Sequence, residues 1–447
     1  MFADTNKQLS WGRYPERPAR RTRLLSFIDA KPCLELAEGE RVLPYGLGRS
    51  YGDSCLNGGG TLLLTTGMDR ISFDSERGLI RCEAGVSLAS ILQLIVPRGW
   101  FLSVTPGTKF VTVGGAIAND VHGKNHHVAG TFGDHVVRLE LLRSDGQILQ
   151  CSPTENPDFF AATIGGLGLT GLILSADFTL TSIESPFIRA ESLCFDSLDE
   201  FFALSKDSEP TYQHAVAWFD ATARGRRSGR GVFFRGNNAP AIDQGRVPRV
   251  TTRQWSIPLP MPNWALNSWS MKAFNVAYYM KNRGGSGETT SHYDGFFYPL
   301  DAIGEWNRIY GPRGFLQYQC VIPKAAGEAP VAEMIREISN GPCSAFLTVL
   351  KMFGDKKPRG LLSFPRHGCT LAIDFPFQGD KTLRFLERLD RIVGGAGGAL
   401  YPAKDARMSP DMFRLSFHKL DGFCQYVDPA FSSSFWRRVD GARGGVR

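Results

Sequence analysis

T-K-F-V-T-V-G-G-A-I-A-N-D-V-H-G-K-N, residues Thr108 to Asn125, joins a β-branched run to a Gly-Gly pair, a small-residue helical turn and a His-Gly-Lys-Asn loop. The run Val111, Thr112, Val113 predicts a strand. The paired glycines after it let backbone amides approach a ligand more closely than any Cβ allows. A helix opening there favours an anion, above all a pyrophosphate. A second glycine-rich loop, Pro44-Tyr45-Gly46-Leu47-Gly48-Arg49-Ser50-Tyr51-Gly52-Asp53, lies upstream. It lacks the G-K-[ST] ending of a Walker A loop, and its third glycine is misplaced for a G-x-G-x-x-G Rossmann turn. Alone it reads as a tight turn between strands. Beside Gly114-Gly115 and a third run, Gly165-Gly166-Leu167-Gly168-Leu169-Thr170-Gly171, it predicts one large phosphate-bearing cofactor held from two sides.

The chain has 447 residues, a length that suits two domains. Its 43% hydrophobic and 21% charged residues are those of a soluble globular protein. A formal net charge of +7 is mild and compatible with phosphate-bearing or anionic-lipid partners. No nucleic-acid signature accompanies it, so none is expected as partner. The nine cysteines are scattered, odd in number and without a C-x-x-C pair. Neither a disulfide framework nor a zinc site is expected, and a reducing, cytoplasmic setting is. The first 27 residues carry five arginines between Arg13 and Arg23 and no apolar h-region, which argues against a signal peptide. No run approaches the ~18 apolar residues of a membrane span, so the expectation is a soluble or at most peripheral protein.

Strands are predicted at Thr61–Thr65, Gly78–Ala84, Val136–Leu142 and Leu172–Thr179. A helix is predicted over Ser87–Val96, where Ser87 caps and Leu88, Ile91, Leu92 and Ile95 share a face. Near Ile183–Pro186 the glycine density falls and a second region begins. It carries predicted strands at Val216–Phe219, Gly231–Arg235, Gly314–Ile322 and Leu371–Phe375, and helices at Val331–Ser339 and Lys381–Val393. Within it, Ala239–Trp264 holds five prolines and reads as a mobile span. The division expected is residues 1–185, completed by 399–447, and residues 186–398.

Four clusters carry candidate chemistry. His122-Gly123-Lys124-Asn125-His126-His127 has three histidines in six residues, but Gly123 and Asn125 oppose a helix and no H-E-x-x-H occurs. No metal is expected there. Lys124 and His122 read instead as groups beside a cofactor ring or a substrate phosphate, or as part of a polar surface loop. Lys404, in Tyr401-Pro402-Ala403-Lys404-Asp405, is either a solvated lysine after a turn or a pocket-floor base whose pKa burial lowers. Gln317 and Gln319 share one strand face, ready to grip sugar hydroxyls or simply facing solvent. The basic run Arg224–Arg230 reads as a hairpin turn, solvated or touching anionic headgroups.

Several strings recur in the same order: G-L-G-R-S-Y-G-D (Gly46–Asp53), P-G-T (Pro106–Thr108), V-T-V-G-G-A-I-A (Val111–Ala118) and H-G-K-N-H-H (His122–His127). They continue with G-L-T-G (Gly168–Gly171), G-E-W-N-R (Gly304–Arg308), G-F-L-Q-Y-Q (Gly314–Gln319) and A-K-D (Ala403–Asp405). Together they resemble the vanillyl-alcohol-oxidase superfamily of PCMH-type FAD-binding flavoenzymes, and within it the decaprenylphosphoryl-β-D-ribose 2-oxidase family. The similarity spans most of the chain. It implies an α+β, two-domain fold: an FAD-binding domain holding the dinucleotide between two small subdomains, and a cap domain whose antiparallel sheet closes over the isoalloxazine. Covalent members attach FAD through a His in the first loop; here Tyr51 stands at that position, which implies non-covalent FAD.

By the same resemblance the cofactor is lined by Pro44, Tyr45, Gly46, Leu47, Gly48, Arg49, Ser50, Tyr51, Gly52, Asp53 and Ser54. Gly107, Thr112, Val113, Gly114, Gly115, His122, Gly123, Asn125, Ile173 and Tyr401 complete that set. Lys404, Lys124 and His122 are the implied catalytic groups, with Gln317, Gln319, Lys351, Trp218 and Lys404 facing the substrate. The implied reaction is oxidation of the C2 hydroxyl of a polyprenyl-phosphate pentose to the 2-keto sugar. That is the first half of an epimerisation supplying arabinan for cell wall biosynthesis. A short-chain reductase as partner, a quinone as electron acceptor and peripheral contact with the inner membrane are implied with it. Two departures stand out. Thr370-Leu371-Ala372-Ile373-Asp374-Phe375-Pro376 has Ala372 where the family carries its active-site cysteine and Thr370 where it carries Asn, and Phe297 replaces a Tyr. The alternatives are a soluble sugar, alditol or aldonolactone oxidase on the same scaffold, a flavin-carrying electron-transfer subunit, and a non-flavin phosphate-binding protein.

Overall fold

The computed structural model describes residues 9–34, 39–241, 255–262, 266–284, 287–342, 345 and 347–440. Cys343, and residues 242–254 and 263–264 of the Ala239–Trp264 span, lie outside them. The first layer is a parallel sheet of β1 (Arg20–Arg23), β2 (Val42–Tyr45) and β3 (Thr61–Leu64), with α1 (Phe27–Leu34) between its first two strands. An antiparallel sheet follows, of β4 (Ile71–Asp74), β5 (Leu79–Glu83), β6 (Trp100–Leu102), β7 (Val136–Leu142), β8 (Ile148–Cys151) and β9 (Leu172–Ser182). The long β9 pairs with β5, β6 and β7. α2 (Leu88–Ile95) packs as its spacing predicts: Leu88, Ile91, Leu92 and Ile95 are all buried, and Ser87 accepts from the Ser90 amide.

The run Val111–Val113 does not form the expected strand. Thr112 makes only an isolated bridge to Ser87, and α3 (Val113–Ala118) starts at the next residue. The Thr112 hydroxyl accepts from the Gly115 amide at 3.2 Å, while the Val113 and Gly114 amides donate to Val86 and Ala84 carbonyls. Capping takes the hydrogen bonds a ladder needs, and β-propensity yields to it. α4 (His126–Ala129) and α5 (Pro157–Thr163) complete this half of the chain.

A third sheet has eight strands, every neighbouring pair antiparallel. They are β10 (Phe187–Phe195), β11 (His214–Phe219), β12 (Gly231–Asn238), β14 (Glu288–His292), β16 (Phe315–Pro323), β17 (Thr348–Phe353), β18 (Gly368–Pro376) and β19 (Ala399–Leu400). Their order is β14-β10-β12-β11-β17-β18-β16-β19. Two short strands, β13 (Trp255–Ser256) and β15 (Ile303–Gly304), pair in parallel. Alternation along the eight strands sends two sets of side chains opposite ways. Ala217, Tyr318, Cys320, Leu350, Leu371 and Ile373 join a core with α6 (Leu198–Ser208), α9 (Ala329–Asn340) and α10 (Asp380–Gly395), represented by Phe201, Met334 and Phe385. The intervening residues face a cavity. α7 (Ser268–Arg283) and α8 (Tyr293–Phe297) lie between β13 and β15 in the chain.

The C-terminal helices α11 (Pro410–Ser416), α12 (Leu420–Cys424) and α13 (Ser434–Asp440) put Phe413, Phe423 and Trp436 into that same core. They also reach the first loops: the Ser434 amide donates to the Leu56 carbonyl at 2.7 Å, and Arg438 pairs with Asp53 at 2.6 Å. Among the described residues every cysteine is free, and no helix is long and apolar enough to cross a membrane.

Candidate active site

The cavity between the glycine loops and the open face of the eight-stranded sheet holds about 720 Å³, within the usual range for a ligand pocket. The two loops that open it are locked together. A Cβ at Gly46 would collide with the Thr112 hydroxyl, and Gly48 sits at φ +63°, where glycine is favoured. Among the described residues the amides of Leu47, Gly48, Arg49 and Ser50 find no protein acceptor, nor do those of Gly107 and Thr108. The buried Arg49 Nε is likewise unpartnered, with its guanidinium 3.9 Å from the Trp11 ring centroid. Free amides and one buried cation converging on one wall fit the pyrophosphate of a dinucleotide.

The opposite wall is cationic. β17 and β18 pair Lys351 with Thr370 and Val349 with Ala372, and β16 sets Gln319 and Gln317 across from Ala372 and Asp374. His122 closes this wall from the other side: Gln319 Nε2 lies 3.0 Å from its Nε2, and Lys351 Nζ 3.1 Å from its Nδ1. Burial holds the imidazole neutral, well below its ordinary pKa, with Lys351 adding to the effect. A neutral ring has one donor and one acceptor nitrogen. A charged Lys351 donates to Nδ1 and leaves the proton on Nε2, which then pairs with the Gln319 oxygen after the amide turns over. A neutral Lys351 accepts from Nδ1–H, and the Gln319 amide donates to Nε2. Burial pushes Lys351 down to about 7, so its proton selects between the two arrangements.

Two further lysines complete the wall. Burial pushes Lys124 down to about 7, although its ammonium donates to the Phe296 carbonyl and lies 4.6 Å from the Phe296 ring centroid. Lys404 stands 3.8 Å from the Tyr51 ring centroid, and the Tyr51 amide donates to the Ala403 carbonyl at 2.9 Å. The first glycine loop is thereby pinned to the Lys404 turn. Burial lowers the Lys404 pKa, and the attraction of Asp374 opposes that. Burial raises Asp374, which accepts from Gln317 Nε2 at 2.6 Å. A lysine that loses its proton this readily accepts one from a hydroxyl near neutral pH.

Residues 32–152 match a family described as FAD binding domain. The chain is 38% identical to the decaprenylphosphoryl-β-D-ribose oxidase of Mycolicibacterium smegmatis over 98% of each sequence. It belongs to that oxidase family. An uncharacterized protein of Streptomyces coelicolor is 29% identical over 79% of this chain and all of its own length. L-gulonolactone oxidase of Mus musculus is 30% identical over 40% of this chain and 42% of its own. The protein is an FAD-dependent oxidoreductase.

For a member of this oxidase family, most of the site residues read from sequence converge. Pro44 to Tyr51, Ser54, Gly107, Thr112, Gly114, Gly115, His122, Gly123, Lys124, Ile173, Gln317, Gln319, Lys351, Tyr401 and Lys404 all line the cavity. Five do not. Gly52 packs against the Asp405 carbonyl, Asp53 is buried against Arg438, and Val113 lies in the hydrophobic core. Asn125 donates to the Ser103 carbonyl at 2.8 Å, bracing the loop rather than lining it. Trp218 shares a strand face with the cavity-lining Val216 but packs on Tyr278, its ring centroid 4.8 Å away. Ala372 and Phe297, the two departures singled out in the sequence, both line the cavity. Asp374, Trp11, Asp301 and Trp306 had no assigned role from sequence. A lone carboxylate in the apolar run Leu371–Phe375 was the available signal for Asp374; Trp11 had none. The basic turn is partly used up inside the protein, with Arg230 buried on Asp220 at 2.7 Å and Arg224 donating to the Ser339 carbonyl. Among the described residues no group of His, Cys, Asp and Glu could hold a metal ion.

Proposed function

We propose that the protein oxidises the C2 hydroxyl of a polyprenyl-phosphate pentose, such as decaprenylphosphoryl ribose, to the ketone, with FAD held non-covalently. The observation that carries this reading is Lys404, a half-buried lysine of lowered pKa fixed over Tyr51 at the junction of the glycine loops and the sheet wall. Flavin held by the glycine loops would supply the two-electron acceptor that oxidation at C2 needs. Lys404 accepts the hydroxyl proton, and Asp374 stabilises the resulting ammonium. Lys124 meets the substrate phosphate, while Lys351, His122 and Gln319 orient the sugar. The small Ala372 leaves room where the family carries a thiol.

Non-covalent attachment is supported by the first loop, which offers no histidine and only one cavity-lining thiol. Burial pushes that thiol, Cys55, up to about 12, so it is a poor nucleophile. Carried with this reading are a short-chain reductase that returns the ketone to the epimeric alcohol, a quinone that reoxidises the flavin, and peripheral contact with a membrane bearing the lipid-linked substrate.

The test is an anaerobic absorbance spectrum of the flavin-loaded protein before and after polyprenyl-phosphoryl ribose. The wild type is expected to bleach. Lys404→Met is expected to keep its flavin band and bleach on the order of a hundredfold more slowly. Bleaching by a soluble alditol or aldonolactone, with none by the lipid-linked sugar, would overturn the substrate. Unchanged bleaching in Lys404→Met would remove the lysine's role.

A further inference from the structure

We propose that the outward face of α7, together with the strap 255–262, is a lipid-docking surface that seats the cavity mouth on an anionic bilayer. α7 has two apolar faces. Met271, Asn275 and Tyr279 are buried on β10 and β12, where Tyr279 reaches Asp196 and Asn275 reaches Asp220. On the other side Trp269, Ala273, Val276, Ala277 and Met280 follow helical spacing and stand exposed, Trp269 at 83% and Met280 at 57%. An amphipathic helix needs only one apolar face to pack on a globular protein. The second one, in water, calls for an occupant.

Charge selects the occupant. Between Ser268 and Arg283 there is no acidic residue; Lys272 and Lys281 flank the exposed stripe, while Arg283 lies 3.9 Å from Asp196. An apolar stripe edged by cations, with Trp at one end, is the composition of a helix lying in a headgroup layer. Position supports the same occupant. β13 and β15 pair Trp255 with Ile303 and Ser256 with Gly304, and Ser256, Ile303 and Gly304 are cavity wall. The strap carries exposed Trp255 (68%) and Leu259 (75%) on that rim, a short run of chain before α7 begins. The strap thus sets exposed apolar side chains beside the cavity wall, shortly before α7 in the sequence. The surface stands on α7 by itself; its use for delivering a lipid-linked substrate rests on the reading above.

The experiment is sedimentation of the full-length, flavin-loaded protein with large vesicles, without substrate. Vesicles of phosphatidylcholine are compared with vesicles in which about a quarter of the lipid is phosphatidylglycerol. The wild type is expected to partition onto the anionic vesicles. The double variant Trp269→Ser, Met280→Ser should bind at least about tenfold more weakly. Lys272→Glu and Lys281→Glu should each weaken binding by about fivefold or more. An unchanged flavin spectrum shows that the variants are folded, since the altered side chains are exposed. Arg224→Ala with Arg227→Ala should bind nearly as the wild type does. A wild type that stays in the supernatant, or helix variants that partition as it does, would overturn the proposal. So would a variant that changes only the sedimenting mass of the free protein, which would give the face to a second copy. Because no substrate is present, failure of the oxidase reading leaves this result standing.

Discussion

At the residue scale the site is built from lysines whose charge the fold makes expensive. For Lys351, ordinary pKa 10.5, burial brings the folded value to about 7. Below pH 7 both folded and unfolded chains hold the proton, and the folded state bears the full penalty of a buried ammonium. Between about 7 and 10.5 the folded chain has released it and the unfolded chain has not, so this residue's contribution to stability rises with pH through that window. Lys351→Met removes the dependence. In denaturant unfolding the variant should gain roughly 1–3 kcal/mol more, relative to wild type, at pH 6 than at pH 9. An equal difference at both values would mean that Lys351 is not desolvated. The sequence marked Lys404 and His122, because the A-K-D and H-G-K-N strings stand out. It did not mark the electrostatic partner of Lys404, Asp374, because nothing local says that an aspartate in an apolar strand is buried within reach of that lysine.

At the scale of elements, the decisive contact joins two loops about 65 residues apart in the chain. Gly46 is small because Thr112 occupies the space a side chain would need, and Thr112 in turn caps α3. Gly46→Ala should release flavin, lowering its affinity by about tenfold or more, and Thr112→Ala should cost the cap roughly 1 kcal/mol. Combined, the two should show coupling, since removing the threonine side chain beyond Cβ frees most of the room the new methyl requires. Flavin affinity by fluorescence titration across all four proteins measures it; strict additivity would deny the contact. The α2 helix was legible to its cap, because cap chemistry and apolar spacing are local. The strand expected at Val111–Val113 was not there, because the same β-branched residues serve a cap when flanking carbonyls claim their amides.

At the scale of the whole molecule, the C-terminal helix ties the site shut. Arg438 spans Asp53, at the end of the Pro44–Asp53 glycine loop, and Asp405, after Lys404, at 2.6 and 2.9 Å, and both carboxylates are buried. Burial works against its charge, but the two carboxylates together raise the arginine's pKa. Arg438→Met leaves two buried carboxylates uncompensated, which costs on the order of 3–5 kcal/mol. The variant should melt well below the wild type and lose flavin before the melt; an unchanged melting temperature in a thermal scan would show that the tie is dispensable.

The sequence by itself determined the local parts: which loops carry glycine, which helix is capped and by what, which residues alternate along β16 and β18, and how much charge surrounds them. These follow from φ/ψ freedom, hydrogen-bonding side chains and periodicity, all set within a few residues. Only the tertiary structure decided that Gln319, Lys351 and His122 meet: strand register brings the first two together, and packing of the His122 loop on the sheet closes separations of 229 and 197 residues. Burial is likewise a property of the packed molecule. It turns ordinary lysines into groups that exchange a proton near neutrality, and it left the outer face of α7 in water.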